Sequence, residues 1–406
     1  MKYVILVGDG MGDYPIPQLA GKTPLQAART PHLDELARQG ELGLARTIPP
    51  GQEPGSDIAN LAIMGYDPER YHTGRAPLEA AALGVDLGPS EVAFRCNLVT
   101  LRQEDSGLIM EDYSAGHISS DEAQELIGTL QAALGRDGRR FYPGVSYRHL
   151  LVWDKGDAAW RTYPPHDWTG KEVGHLMDKE AQPLWDLIRA SWPVLKDQAV
   201  NRSRVAAGKK PATSIWLWGQ GRPPQMPTLQ ARFGLTGAVI SAVDLIRGIG
   251  KYAGLTPILV PGATGFLDTN YTGKVEAALT ALQEMDLVFV HVEAPDEAGH
   301  SGELALKLQA IEDFDAKVVG PMRAGLDKLG NYRLLVLCDH LTPLAVRTHT
   351  PEPVPYVLYD SRTPGDQPRP YNEVAAKNAG MLLENGADLL PRLLGRDDEL
   401  TKSRRT

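Results

Sequence analysis

The segment Tyr3-Val4-Ile5-Leu6-Val7-Gly8-Asp9 decides how the rest of the chain is read. Its unbroken apolar run predicts a strand covered on both faces, as in a mostly parallel sheet with helices on either side. Similar short runs recur at Ser214–Trp218, Pro257–Val260, Leu287–Val292, Arg333–Cys338 and Pro355–Tyr359. Helical patterns stand between them. One is Pro31–Gln39, where Thr30 is placed to cap, Pro31 occupies the first turn and Gly40 ends the helix; another is Gly302–Lys317. The expected fold class is α/β.

The middle of the chain follows a different pattern. From about Leu78 to Asp178 turn residues are scattered among strand-like pieces such as Val92–Leu101 and Tyr147–Trp153. This predicts an inserted α+β cap domain at 78–178 within a core made of 1–77 and 179–400. A helix near 178–206 and the strand at 214–218 are expected to return the chain to the main sheet. Residues 401–406 are polar and basic, and read as a frayed tail.

Of the 406 residues 42% are apolar and 23% charged, which places the chain among globular proteins and excludes disorder. With 42 Lys and Arg against 51 Asp and Glu, the net charge of -9 disfavours a broad grip on nucleic acid or an anionic membrane. Two cysteines, Cys96 and Cys338, form neither a disulfide framework nor a CxxC pair, which fits a reducing cytoplasm. No stretch approaches the about 18 apolar residues of a membrane span.

The candidate chemistry lies where the strands end. Asp9 follows the first strand, Asp339 and His340 follow Leu334–Cys338, and Asp296 follows Leu287–Val292 by a short turn. In open α/β sheets the carboxyl ends of strands form the ligand crevice, so these acids are expected to converge there. His300 stands four residues after Asp296, a spacing that faces one way on a helical turn, and His349 lies nearby in sequence. Three carboxylates and three imidazoles without a thiolate suit Mn²⁺, Zn²⁺ or Mg²⁺, and their number suggests two ions. Acids crowded together repel unless cations balance them. Taken singly, Asp9 and Asp296 could instead cap helices, and His300 and His349 could be ordinary surface or core histidines.

Gly51-Gln-Glu-Pro-Gly-Ser-Asp-Ile-Ala-Asn60 is turn-rich and runs into Leu61-Ala-Ile-Met64, which puts Ser56 at a helix start. Free backbone N–H groups there attract phosphate, and a hydroxyl among them is a candidate nucleophile. The plain alternative is that Ser56 caps the helix.

Five blocks now stand in order: Val4-Ile-Leu-Val-Gly-Asp-Gly-Met-Gly12, Pro54-Gly-Ser-Asp-Ile-Ala-Asn60, Asp296-Glu-Ala-Gly-His300, Asp339-His-Leu-Thr-Pro343 and His349-Thr-Pro-Glu-Pro-Val-Pro355. Together they resemble the cofactor-independent phosphoglycerate mutases of archaeal type, in the alkaline phosphatase superfamily. The resemblance implies an alkaline-phosphatase-like three-layer core with an inserted cap, and conversion of 3-phosphoglycerate to 2-phosphoglycerate without 2,3-bisphosphoglycerate. It implies Ser56 as the phosphorylated nucleophile. One metal would be held by Asp9, Ser56, Asp339 and His340, the other by Asp296, His300 and His349. Manganese is the usual ion, with magnesium, zinc or cobalt able to substitute.

The chain departs from this pattern at Leu341, where a small hydroxyl residue is usual, so no hydrogen bond to the metal surroundings is expected from that position. Holding glycerate while the phosphoenzyme lasts calls for cations, and Arg95, Arg148, Lys209 and Lys210 are the candidates. His117 is the candidate acid and base for the substrate hydroxyls. Other acceptors at the same core would give a phosphate or sulfate ester hydrolase, or a kinase of a small amino alcohol such as homoserine. No Gly-x-x-x-x-Gly-Lys-[Ser/Thr] loop supports the kinase. A scaffold that merely binds metal would need no serine nucleophile.

Overall fold

The computed structural model describes residues 1–105, 107–176 and 180–396; the expected tail at 401–406 lies outside them. Its strands in chain order are β1 (Lys2–Gly8), β2 (Glu41–Ala45), β3 (Val92–Glu104), β4 (Gly107–Asp112), β5 (Arg139–Tyr142), β6 (Arg148–Trp153), β7 (Ser214–Gly221), β8 (Gly237–Ile240), β9 (Thr256–Pro257), β10 (Leu287–Val292), β11 (Tyr332–Leu337), β12 (Val354–Asp360) and β13 (Leu382–Leu383). They fall into two compact units, Met1–His72 with Gln225–Thr406, and Thr73–Pro224.

In the first unit eight strands form one sheet in the order β13-β2-β12-β11-β1-β10-β8-β9. From β11 to β9 all neighbours are parallel, whereas β12 runs antiparallel to both β11 and β2. Val4 to Val7, Val288 to Val290 and Leu334 to Leu337 are at most 1% exposed. Successive strand residues point to opposite faces, so burial of every one means that both faces are covered, as the apolar runs predicted.

The helix Pro31–Gln39 stands where it was expected and ends at Gly40. Its start differs in detail. The Thr30 side chain does not cap; instead the Asp315 carboxylate, from far along the chain, accepts from the N–H groups of His32 (3.2 Å) and Leu33 (2.7 Å). The helix expected at Gly302–Lys317 is divided. Gly302, at φ 76°, ends the helix Ala294–Ser301, and a new helix runs from Leu304 to Phe314 before one π-helical turn at Asp315–Val319. The strand expected at Pro257–Val260 shrinks to β9.

The second unit is a five-stranded antiparallel sheet in the order β4-β3-β6-β5, with β7 also paired to β3. This corrects two expectations. The run at 214–218 does not return to the main sheet but lies along β3, with Leu98 opposite Ile215, and the inserted unit spans Thr73–Pro224 rather than 78–178. Packing explains the difference. Trp216 of β7 meets Trp185 of the helix Gln182–Lys196 edge to face at 5.4 Å, so helix and strand close one apolar core.

One polar contact braces the first unit. Lys307, on the helix Leu304–Phe314, is fully buried, 3.1 Å from Asp13, and donates to the carbonyls of Gly12 (3.2 Å) and Thr342 (2.6 Å). Removing one partner strands the other's charge, which costs about 3–5 kcal/mol. Lys307→Met is therefore expected to lose stability on that scale in urea unfolding of the metal-free chain; a loss below about 1 kcal/mol, the range of an exposed pair, would show that the bridge is not a brace.

Candidate metal clusters and nucleophile

β11, β1 and β10 are parallel neighbours, so their carboxyl ends open on one edge of the sheet. Asp9 directly follows β1, Asp339 stands two residues past β11, and Asp296 lies in the first turn of the helix after β10. All three are buried. Neither Asp9 nor Asp296 is a cap: Asp9 enters a turn, and Asp296 sits inside the helix, behind Glu293 at the N-cap position.

The expected ligands form two groups, Asp9 with Asp339 and His340, and Asp296 with His300 and His349; within each, one ligand atom per residue lies within 4.8 Å of the others. In the first, His340 Nε2 is 3.5 Å from both Asp9 Oδ1 and Asp339 Oδ2. In the second, His300 Nε2 is 3.1 Å from Asp296 Oδ2, and His349 Nε2 is 3.5 Å from Asp296 Oδ1. The groups adjoin, with the His340 and His349 rings 4.0 Å apart.

The donor atoms suit divalent cations. His300 Nδ1 is 3.0 Å from the Arg347 carbonyl, which only accepts, so a neutral ring carries its proton on Nδ1 and a lone pair on Nε2. In the metal-free chain the hydrogen bond to Asp296 raises the His300 pKa to about 9, so Nε2, 3.1 Å from His349 Nε2, carries a proton that a cation would displace. Asp9 Oδ1 is buried without a hydrogen bond. Burial, then the charges of Asp339 and Asp296, push the Asp9 carboxyl well above its ordinary range. Asp296 is held well below that range, because the hydrogen bonds of His300 and His349 outweigh its burial. A crevice that leaves one acid reluctant to ionise while its neighbours stay charged is one that a cation would balance.

Ser56 is the first residue of the helix Ser56–Ile63, with Gly55 at the N-cap position, and its side chain does not cap. Its Oγ lies 3.1 Å from His340 Nε2, against the first cluster. Asn60, one turn on, donates to both the Ser56 carbonyl and Asp339 Oδ2 at 2.8 Å, which ties this helix to the end of β11. The capping alternative falls, and a hydroxyl at a helix N-terminus beside acids and imidazoles remains.

In the second unit Arg95, Arg148 and His117 belong to one row of rings and cations. The Arg95 guanidinium lies 4.1 Å from the Trp218 ring centroid and pairs with Glu79 at 3.0 Å. From Trp218 the row continues through His166, Tyr113 and Tyr147, the last contacted by both His117 (6.0 Å) and Arg148 (5.7 Å). His117 is exposed, and it follows Ala115 and Gly116 in a run of three positive φ angles, strain of the kind that concentrates at functional positions. Lys210 pairs with Asp112 at 3.1 Å, and Lys209 is an exposed residue without a contact in the row.

Three residues escaped the reading of the sequence. His291, within β10, is fully buried with Nε2 3.1 Å from Asp9 Oδ2, and burial lowers its pKa to about 4. A histidine inside Leu287-Val-Phe-Val-His-Val292 was the available signal. His166 carried none. The third is Thr342: its hydroxyl donates to Asp296 Oδ1 and lies 3.2 Å from His340 Nδ1. Leu341, its neighbour, forms isolated β-bridges to Met11, Gly12 and Thr350. Among the described residues no helix is long and apolar enough to cross a membrane.

Comparison with known proteins agrees with this layout. Residues 37–201 match the family model of 2,3-bisphosphoglycerate-independent phosphoglycerate mutase. A protein of Geobacter sulfurreducens named as a probable mutase of that kind is 55% identical, over 98% of this chain and 100% of its own. One of Methanothrix thermoacetophila, named as the mutase, is 52% identical over 97% and 100%. Among solved structures, a Pyrococcus horikoshii protein superposes with a TM-score of 0.83 at 29% identity, covering 98% of this chain and 97% of its own. The cofactor-independent phosphoglycerate mutase of Thermoplasma acidophilum does so with a TM-score of 0.66 at 26% identity, covering 98% and 100%. The α/β core is thus that of a known enzyme class. The chain belongs to the 2,3-bisphosphoglycerate-independent phosphoglycerate mutase family.

The geometry predicts that the metal-stripped chain takes up two Mn²⁺ by calorimetry, and that Asp296→Asn takes up one. Undiminished uptake by that variant would separate Asp296 from metal binding.

Proposed function

We propose that the chain interconverts 3-phosphoglycerate and 2-phosphoglycerate through a phosphoserine on Ser56, without 2,3-bisphosphoglycerate. The observation that carries this reading is the Ser56 hydroxyl at a helix N-terminus, 3.1 Å from His340 and beside two clusters with the donor set for divalent ions. Its support from relatives is their printed name, at about half identity over nearly the whole chain.

Asp9, Ser56, Asp339 and His340 would hold one divalent ion and Asp296, His300 and His349 the other, with manganese our first choice. When bound, these ions would lower the pKa of the serine hydroxyl and screen the charge of the phosphate. Ser56, its hydroxyl proton lost to solvent beforehand, attacks phosphorus as the alkoxide, the bond from phosphorus to the 3-oxygen breaks, and that oxygen takes a proton from His117. The 2-hydroxyl then returns a proton to His117 and attacks the phosphoserine, which restores Ser56. The free N–H groups of the first helical turn favour the phosphate throughout.

Glycerate must stay bound between the two halves. We assign its carboxylate to Arg95 and Arg148, since a guanidinium grips a carboxylate through two hydrogen bonds, and we read the second unit as the substrate domain. Lys209 and Lys210 remain secondary candidates, because Lys210 already faces Asp112. This reaction belongs to glycolysis and gluconeogenesis, and the two buried free cysteines accord with the cytoplasm as its setting.

Phosphorus NMR of the manganese-loaded chain with 3-phosphoglycerate alone is expected to show the 2-isomer and no free phosphate. Free phosphate without isomer would instead indicate a hydrolase, and neither product would indicate a kinase or a scaffold. Ser56→Ala should lower turnover by several orders of magnitude while the chain stays folded and binds metal. Normal turnover in this variant would remove the phosphoserine.

A further inference from the structure

Thr342 stands between the two clusters. Its hydroxyl has one proton and two lone pairs. The Asp296 carboxylate, when ionised, only accepts, so the proton goes to Asp296 Oδ1. His340 Nδ1, 3.2 Å from the same oxygen, must then be the donor to Thr342. This sets the tautomer of His340, whose Nε2 is left with a lone pair facing Ser56 Oγ at 3.1 Å. A single hydroxyl therefore orients a carboxylate of one cluster and decides which imidazole nitrogen the other cluster can use.

The surroundings leave that hydroxyl little freedom. Thr342 is fully buried, and a β-branched side chain has few χ1 choices. A methyl group on Gly10 would stand 2.5 Å from Thr342 Oγ1 and 2.7 Å from Asp296 Oδ1; one on Gly299 would stand 2.5 Å from the Thr342 carbonyl oxygen. Gly10 follows Asp9, and Gly299 lies between Asp296 and His300, so both clusters come near Thr342 through residues without a side chain. Lys307 holds the Thr342 carbonyl from behind at 2.6 Å.

We propose that Thr342 is a positioning residue that couples the two clusters, so that a cation held at Asp296, His300 and His349 raises the affinity of Asp9, Asp339 and His340 for the second. The inference rests on the reading that both clusters hold divalent ions. A cation on Asp296 holds its carboxylate still, the carboxylate holds the Thr342 hydroxyl, and the hydroxyl holds the His340 ring with its lone pair outward. Coupling of this kind is reciprocal, so loading either cluster helps the other.

The test uses the full chain, the isosteric Thr342→Val and the conservative Thr342→Ser. Manganese calorimetry of the wild type should resolve two binding steps with positive cooperativity. In Thr342→Val each step is expected to weaken by about 10–100-fold, the usual effect of removing a group that orients metal ligands, and the cooperativity should vanish. Thr342→Ser should restore both. A second readout needs no metal: nitrogen-15 NMR of the imidazole rings in the stripped wild type should show His340 protonated at Nδ1.

Independent, equally tight steps in wild type and Thr342→Val would overturn the coupling, as would His340 protonated at Nε2. Wild-type chain that binds no manganese would overturn the metal reading itself, and the coupling with it. Loss of affinity in Thr342→Val without recovery in Thr342→Ser would also count against the proposal, because a hydroxyl in place should suffice.

Discussion

Carboxylates brought together away from water repel one another, and the crevice at the ends of β11, β1 and β10 is organised around that repulsion. Asp9, Asp296 and Asp339 are each at most 5% exposed. Two of them are well supplied with donors: Asp339 accepts from the N–H groups of Gly10 and His340 and from Asn60, and Asp296 from Thr342 beside the His300 ring. Asp9 is supplied least and retains an oxygen without a hydrogen bond. The charge that completes such a set is positive and compact, which divalent ions supply and a lysine on a flexible stem does not.

The fold makes this concentration of charge tolerable by fixing it. Parallel pairing of three buried strands brings acids from distant parts of the sequence to one edge, and the apolar faces of those strands keep that edge rigid. Lys307 then clamps the loop after β1 to the segment after β11 through Asp13, Gly12 and Thr342. Ser56 arrives from a separate helix, which Asn60 ties to Asp339. On the reading proposed for Ser56, its hydroxyl and the surrounding groups are in place before substrate binds, which is where most of the advantage in phosphoryl transfer lies.

Much of this was legible in the sequence because it depends on local pattern. Leu287–Val292 is apolar but for His291 and forms a strand with those bounds, and Asp296 and His300, four apart, share one helix. What the sequence concealed depends on partners remote along the chain. The cap of the helix at Pro31 comes from Asp315, not Thr30. The run at 214–218 reads as a buried strand in either sheet, and only its fit against β3 and Trp185 assigns it to the inserted unit. Leu341 marked a lost hydroxyl, whereas the hydroxyl bonded to Asp296 belongs to its neighbour Thr342, which only the folded geometry reveals. His291 was hidden because one polar residue in an apolar run suggests packing until the neighbouring strand is known to end in Asp9.

The central claim is that these strand ends enclose two divalent ions beside Ser56. The most direct test is anomalous diffraction at the manganese edge from crystals grown with Mn²⁺. The account predicts two strong peaks, one among Asp9, Asp339, His340 and the Ser56 hydroxyl, the other among Asp296, His300 and His349. A crevice without peaks at full manganese occupancy of the solution, or peaks confined to other parts of the molecule, would contradict it.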